Sequence, residues 1–173
     1  MLNSLRTSTT ETNGLAEALK RATEDCSIPS SIALDFVVIG EAREMHPIIR
    51  DEIYRIGFEA IRNAAVHSSA SVLEIELAYR QNLTLRVADN GAGIDLSVIN
   101  QGKQGHFGLQ GMRERAARIG ATFTLTSSPD SGTEIRLVVP GAIIFQKQKP
   151  IPQILLTRLR DLVRRTIPKA TLE

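Results

Sequence analysis

From Ile48 to His67 the chain repeats apolar side chains at three- and four-residue steps, through Ile49, Ile53, Ile56, Ala60, Ala64 and Ala65. This repeat fits one long helix with a single buried face. Pro47 suits its first turn, where the missing N–H would have no intrahelical partner in any case. Such a face needs an apolar surface to lie on, and the next residues offer one. Val72–Tyr79 and Leu83–Ala88 are β-type runs joined by the polar turn Arg80-Gln81-Asn82. The second run alternates Leu83, Leu85 and Val87 with Thr84 and Arg86, as a strand buried on one face should.

The rest of the chain extends this pattern. Leu15, Leu19 and Ala22 predict a helix from Leu15 to Asp25, with Asn13 near its cap. Ser31–Ile39 reads as a strand. A further helix begins near Gly108 and runs to about Ile119, with Leu109, Met112, Ala116 and Ile119 inward. Thr122–Ser127 and Thr133–Val139 form a hairpin around Ser128-Pro129-Asp130-Ser131-Gly132. The order helix, strand, helix, strand, strand, helix, strand, strand predicts a two-layer α/β sandwich, a mixed sheet with helices on one face. Residues 1–13 read as a flexible polar segment, 14–141 as the folded domain and 142–173 as a separate basic tail. In the tail, a linker with Pro150 and Pro152 precedes Gln153–Ile167, which sets Leu155, Leu159, Leu162 and Val163 opposite Arg158, Arg160, Arg164 and Arg165. That is a basic amphipathic helix, read first as a solvated terminal helix and second as a weak membrane-surface or partner contact.

Charge narrows the function. Residues 1–141 hold 14 Lys and Arg against 17 Asp and Glu, a net −3, whereas residues 142–173 hold 7 against 2, a net +5. The acidic body argues against direct nucleic-acid binding through a broad positive face. No run of 18 uninterrupted apolar residues exists to span a membrane. The single Cys26 has no internal disulfide partner, which fits a reducing compartment and a structural thiol.

Three segments carry chemistry. Glu59, Asn63 and His67 stand at i, i+4 and i+8, so they share one stripe beside the apolar one. The Glu59 carboxylate and the Asn63 carboxamide offer oxygens, hard donors suited to Mg²⁺, although such a stripe taken alone reads as a helix's wet side. Asp89 ends a strand and is followed by Asn90-Gly91-Ala92-Gly93-Ile94. The glycines let backbone approach a flat ligand closely, and the carboxylate can accept from an exocyclic amine; a plain turn would also use Asn-Gly. Third, Gly105-His106-Phe107-Gly108-Leu109-Gln110-Gly111-Met112 puts glycines at the start of a helix, whose free N–H groups suit phosphate. It is neither a Walker loop nor a dinucleotide fingerprint, because Gly102-Lys103 lacks a following Ser or Thr and the glycine spacing is wrong.

In order, Glu59-x-x-x-Asn63-x-x-x-His67, Asp89-x-Gly91-x-Gly93, Gly105-x-x-Gly108-Leu109-x-x-Met112 and Gly132-Thr133 resemble the N box, the two glycine boxes and the terminal Gly-Thr of the GHKL ATPases. The likeness covers about residues 14–141. Within that superfamily the string from Gly105 through Met112-Arg113-Glu114-Arg115 is similar to bacterial sensor histidine kinases that work with helix-turn-helix response regulators.

The resemblance implies ATP and Mg²⁺ as ligands. Asn63 would coordinate Mg²⁺, and Glu59 would polarise the attacking group or orient a metal-bound water. Asp89 would read the adenine amino group, and Gly91, Gly93 and Ile94 would line the base pocket. Gly105, Gly108 and Leu109 would shape the phosphate side, Thr133 would support adenine through a water, and His67 would contact phosphate or its neighbours. Val66 stands where relatives often carry a basic residue, so Lys103 is the candidate for neutralising phosphate.

The only histidines are His46, His67 and His106, and none lies in the expected acceptor context. His46 is expected to cap or pack at the start of the long helix. The implied partners are therefore a histidine-bearing dimerisation domain of a parent kinase and a response regulator. The chain would be the cytoplasmic catalytic part of a membrane-bound sensor, monomeric alone and within a homodimeric parent. An anti-sigma-factor-type serine kinase and a degenerate nucleotide-sensing module are the rival readings.

Overall fold

The computed structural model describes residues 14–94 and 107–145. The elements run α1 (Gly14–Asp25), β1 (Ala33–Ile39), α2 (Pro47–His67), β2 (Val72–Tyr79), β3 (Leu83–Asp89), α3 (Phe107–Arg118), β4 (Thr122–Ser127), β5 (Thr133–Val139) and a short α4 (Gly141–Ile144). The strands form one five-stranded sheet in the order β1-β2-β3-β5-β4. β1 pairs parallel with β2, and the other pairings are antiparallel. The mixed sheet with helices on one face is the predicted two-layer sandwich.

Register explains the two layers. Ile75, Val87, Ile135 and Leu125 pair in turn across β2, β3, β5 and β4, so they point to one side. Leu77, Leu85, Leu137 and Phe123 form the next such row. These rows carry the helices, and most of their members are buried. The alternate residues make the open face, where Arg86 holds Glu74 at 2.8 Å and Glu134 at 2.6 Å. Arg86, then Arg136, holds the Glu134 carboxyl below its ordinary pKa.

α2 crosses the sheet with Ile53, Ile56, Gly57, Ala60, Ile61 and Ala64 inward. Ile61 therefore belongs to the buried stripe, whereas Ala65 lies only at its margin. Gly57 lets α1 approach: a Cβ there would stand 2.5 Å from a Leu19 methyl. Leu15, Leu19 and Ala22 are buried as the spacing predicts, and so are Leu109, Met112, Ala116 and Ile119. His46 occupies the N-cap of α2, but its exposed side chain makes no cap bond, so it neither caps nor packs through its ring.

The packed body continues past residue 141. Ile144 and Phe145 are buried, and the Arg43 guanidinium lies 3.7 Å from the Phe145 ring centre. The first residues given to the tail by its charge thus close the core beside Met45. The amphipathic segment 153–167 lies outside the described residues. Among the described residues, no helix is long and apolar enough to cross a membrane.

Candidate functional site

Toward the end of the sheet under the C-terminal half of α2, the apolar rows give way to a polar one. Leu73, Asp89, Thr133 and Ser127 pair in sequence across four strands, so their side chains share the helix-bearing side. α2 passes over this row, and a cleft of about 560 Å³ opens between them. Glu59, Asn63 and His67 line it from the helix, while Asp89 and Thr133, with Val87 and Ile135, form its floor. Gly93 and Ile94 close one end, and Gly108 and Leu109 of α3 close the other. The three segments singled out in the sequence therefore meet in one cavity of the size that small-molecule sites have.

The Asp89 loop is fixed by bonds spacing alone could not reveal. Asp89 Oδ1 accepts the Gly91 N–H at 2.9 Å. Burial nevertheless raises the Asp89 pKa above its ordinary value, with the nearby Gly91 and Thr133 N–H groups opposing the shift. The Asn90 carboxamide oxygen accepts from Ser71 and Val72 N–H at 2.9 Å each. The Ser68 carbonyl takes the Ala92 N–H at 2.7 Å, and the Gly91 carbonyl takes the Gly132 N–H at 2.9 Å.

Gly91 thus stands behind the cleft rather than lining it. It is buried, and a Cβ there would meet the Ser68 carbonyl oxygen at 2.0 Å. Its part is to let the loop lie against the end of α2.

The helix wall is more crowded than its spacing suggested. Glu59 Oε1 accepts from Arg62 at 2.7 Å, and Arg62 also lines the cleft. A Cβ on Gly108 would stand 2.4 Å from the same Glu59 oxygen, so this glycine makes room for the carboxylate. Val66, 64% exposed, contributes nothing to the cavity wall. Arg62 was missed because an acid and a base three residues apart read as an ordinary surface pair. Ser68 and Ser127 were missed because each gains its role only from the strands and loop beside it. Lys103 and Gly105 lie outside the described residues. Cys26 is half-buried, and burial, then Asp25, raises its thiol pKa, which fits a structural thiol.

This sheet, this helix and this cleft define an ATP-binding domain of the family described as "Histidine kinase-, DNA gyrase B-, and HSP90-like ATPase", whose model matches residues 49–143. The chain belongs to that family. It is 43% identical over 93 residues to "Sensor protein VraS" of Staphylococcus haemolyticus and 42% identical over 93 residues to the protein of the same description from Staphylococcus aureus. Each match covers 53% of this chain and 26% of the relative, so the chain spans about a quarter of the curated relatives it matches. A "Histidine kinase domain from Erythrobacter litoralis EL346 blue-light activated histidine kinase" superposes with a TM-score of 0.61 at 20% identity, covering 73% of this chain and 64% of that one. At that identity the likeness concerns the fold.

Proposed function

We propose that this domain supplies the γ-phosphoryl group of ATP to a histidine on an adjoining dimerisation domain, for onward transfer to a response regulator. The observation that supports it most is the convergence of Asp89 and Thr133 on the floor of one cleft with Glu59 and Asn63 on its wall. One end of the cavity suits a base, and the other suits phosphates.

At the base end, the half-buried Asp89 carboxylate accepts from an adenine amine, held in position by the Gly91 N–H. Val87 and Ile135 offer apolar surface to the ring, and Gly93 and Ile94 frame it. At the phosphate end, the first turn of α3 presents N–H groups without intrahelical partners, which favour negative charge. His67 and Arg62 stand on the opposite wall.

The donor set there, a carboxamide and a carboxylate one helical turn apart, fits Mg²⁺. When bound, that ion offsets charge across the phosphates. Asn63 is the direct ligand in this reading. Glu59, with one oxygen already engaged by Arg62, acts through water or orients the attacking group. Catalysis by these residues is then positioning and charge stabilisation.

The whole receptor is read as a homodimer that keeps this domain in the cytoplasm. The test is to mix the chain with a histidine-bearing dimerisation domain and ATP labelled on the γ-phosphate. Acid-labile, base-stable label on that domain is expected; label on serine of a protein partner would favour the serine-kinase alternative. In the same reading Asn63→Ala weakens ATP binding about tenfold or more in Mg²⁺ and little in chelator, an effect of the size of a lost charged contact. Equal losses with and without Mg²⁺, read by calorimetry, would remove Asn63 from the metal.

A further inference from the structure

Ser127 is the last residue of β4, pairs with Thr133, and belongs to the same polar row as Asp89. Its hydroxyl has three neighbours. Ile94 N–H donates to it at 2.8 Å, the Gly132 carbonyl oxygen lies at 2.8 Å, and Thr133 Oγ1 lies at 2.9 Å. A serine hydroxyl has one hydrogen and two lone pairs. The Ile94 amide can only donate, and the Gly132 carbonyl can only accept. One proton assignment alone makes all three contacts hydrogen bonds: Ser127 donates to Gly132, and Thr133 donates to Ser127.

Thr133 has then spent its only hydrogen away from the cleft. Thr133 lines the cleft floor, and any contact its hydroxyl makes with a ligand there is as an acceptor, not as a donor. Beside it stands Asp89, which as a carboxylate also only accepts. A base edge carrying an amine meets this pair favourably. A carbonyl in the amine's place sets a third acceptor against these two, and the neighbouring ring N–H can satisfy at most one of them, which costs more than a missing contact.

We propose that Ser127 is a specificity-determining positioning residue: by taking the Thr133 hydrogen, it makes the cleft select amino-bearing over carbonyl-bearing purines. This rests on the nucleotide-site reading above. Ser127 touches no ligand in this account and acts through Thr133.

The experiment compares calorimetric Kd values for ATP and for inosine triphosphate, which places a carbonyl where adenine has its amine and an N–H at the adjacent ring nitrogen. In Ser127→Ala, Thr133 can turn its hydrogen into the cleft, so the preference for ATP should narrow by about tenfold, the worth of one well-made hydrogen bond in a buried site. Ser127→Thr retains the hydroxyl and should restore the preference. A merely structural Ser127 would weaken both nucleotides in proportion, and an unchanged ratio would overturn the proposal.

The change in ratio should also vanish when Thr133→Val is already present, because the two residues act in series. If it persists there, Ser127 does not act through Thr133. Should Ser127→Ala fail to fold, Thr133→Val alone must narrow the ratio, and a wild-type ratio in it sinks the idea. Loss of every nucleotide interaction in the unaltered chain would instead remove the site reading on which this rests.

Discussion

Asp89→Asn should bind ATP about 10- to 150-fold more weakly than the natural chain while folding at least as well. The binding loss follows from replacing a charged acceptor by an amide at a partly buried position, where a hydrogen bond to a charged group is worth about 1.5–3 kcal/mol. The stability half follows from the pKa. Burial holds Asp89 above its ordinary value, so folding disfavours its ionised form. The asparagine oxygen can keep the Gly91 N–H without that penalty. Thermal melting of the free variant should therefore fall at or above that of the natural protein, even as ATP affinity collapses.

The same shift fixes two pH trends of opposite sign. A folded pKa above the unfolded one means that the folded chain takes up the proton first as pH falls. In the window between the two values, Asp89's contribution to stability therefore improves with acidification. ATP binding needs the ionised acceptor, so it weakens over the same window. Asp89→Asn should flatten both trends. Unchanged ATP affinity in the variant would remove Asp89 from the base end of the cleft.

The second large effect is expected at Gly93. Its φ is +67°, and a Cβ there would stand 2.0 Å from the Ser128 carbonyl oxygen. Gly93→Ala therefore combines an unfavourable backbone region, about 1 kcal/mol or more, with a clash against backbone that cannot turn aside. Ile94, whose N–H reaches Ser127, must move with it. We expect loss of about 2 kcal/mol or more of stability, or more than tenfold weaker ATP binding. Gly111→Ala is the control. A Cβ there meets nothing within 4 Å, and alanine is the better helix former, so that variant should gain up to about 1 kcal/mol. Chemical denaturation of the two proteins reads the contrast; similar stability in both would mean that the loop tolerates a different path.

The elements were legible because each carries its own period. The stretches Val72–Tyr79, Thr122–Ser127 and Thr133–Val139 end where residue alternation ended. Ile61 shows where periodicity blurs: a broad helix stripe admits neighbours at several offsets, and only the packed sheet decides between Ile61 and Ala65.

The site was legible in part. Asp89, Asn63 and Glu59 stood out because carboxylates and carboxamides at the margin of an apolar pattern need partners. Ser127, Ser68 and Asn90 did not, because a serine or asparagine near a turn has a local explanation in any sequence. Register gives them their second role, by setting Ser127 opposite Thr133 and Asn90 against the start of β2. Gly91 shares its motif with Gly93, and spacing cannot tell a residue that lines a pocket from one that holds the lining in place.

The most direct test of the central claim is a titration of the chain with ATP, followed by the backbone amide resonances of residues 14–94 and 107–145. Gly93, Ile94, Gly108, Leu109 and Thr133 are expected to shift together and saturate with ATP, and to do so more weakly with inosine triphosphate. Saturation by ATP with those amides unmoved and another surface responding would contradict that claim.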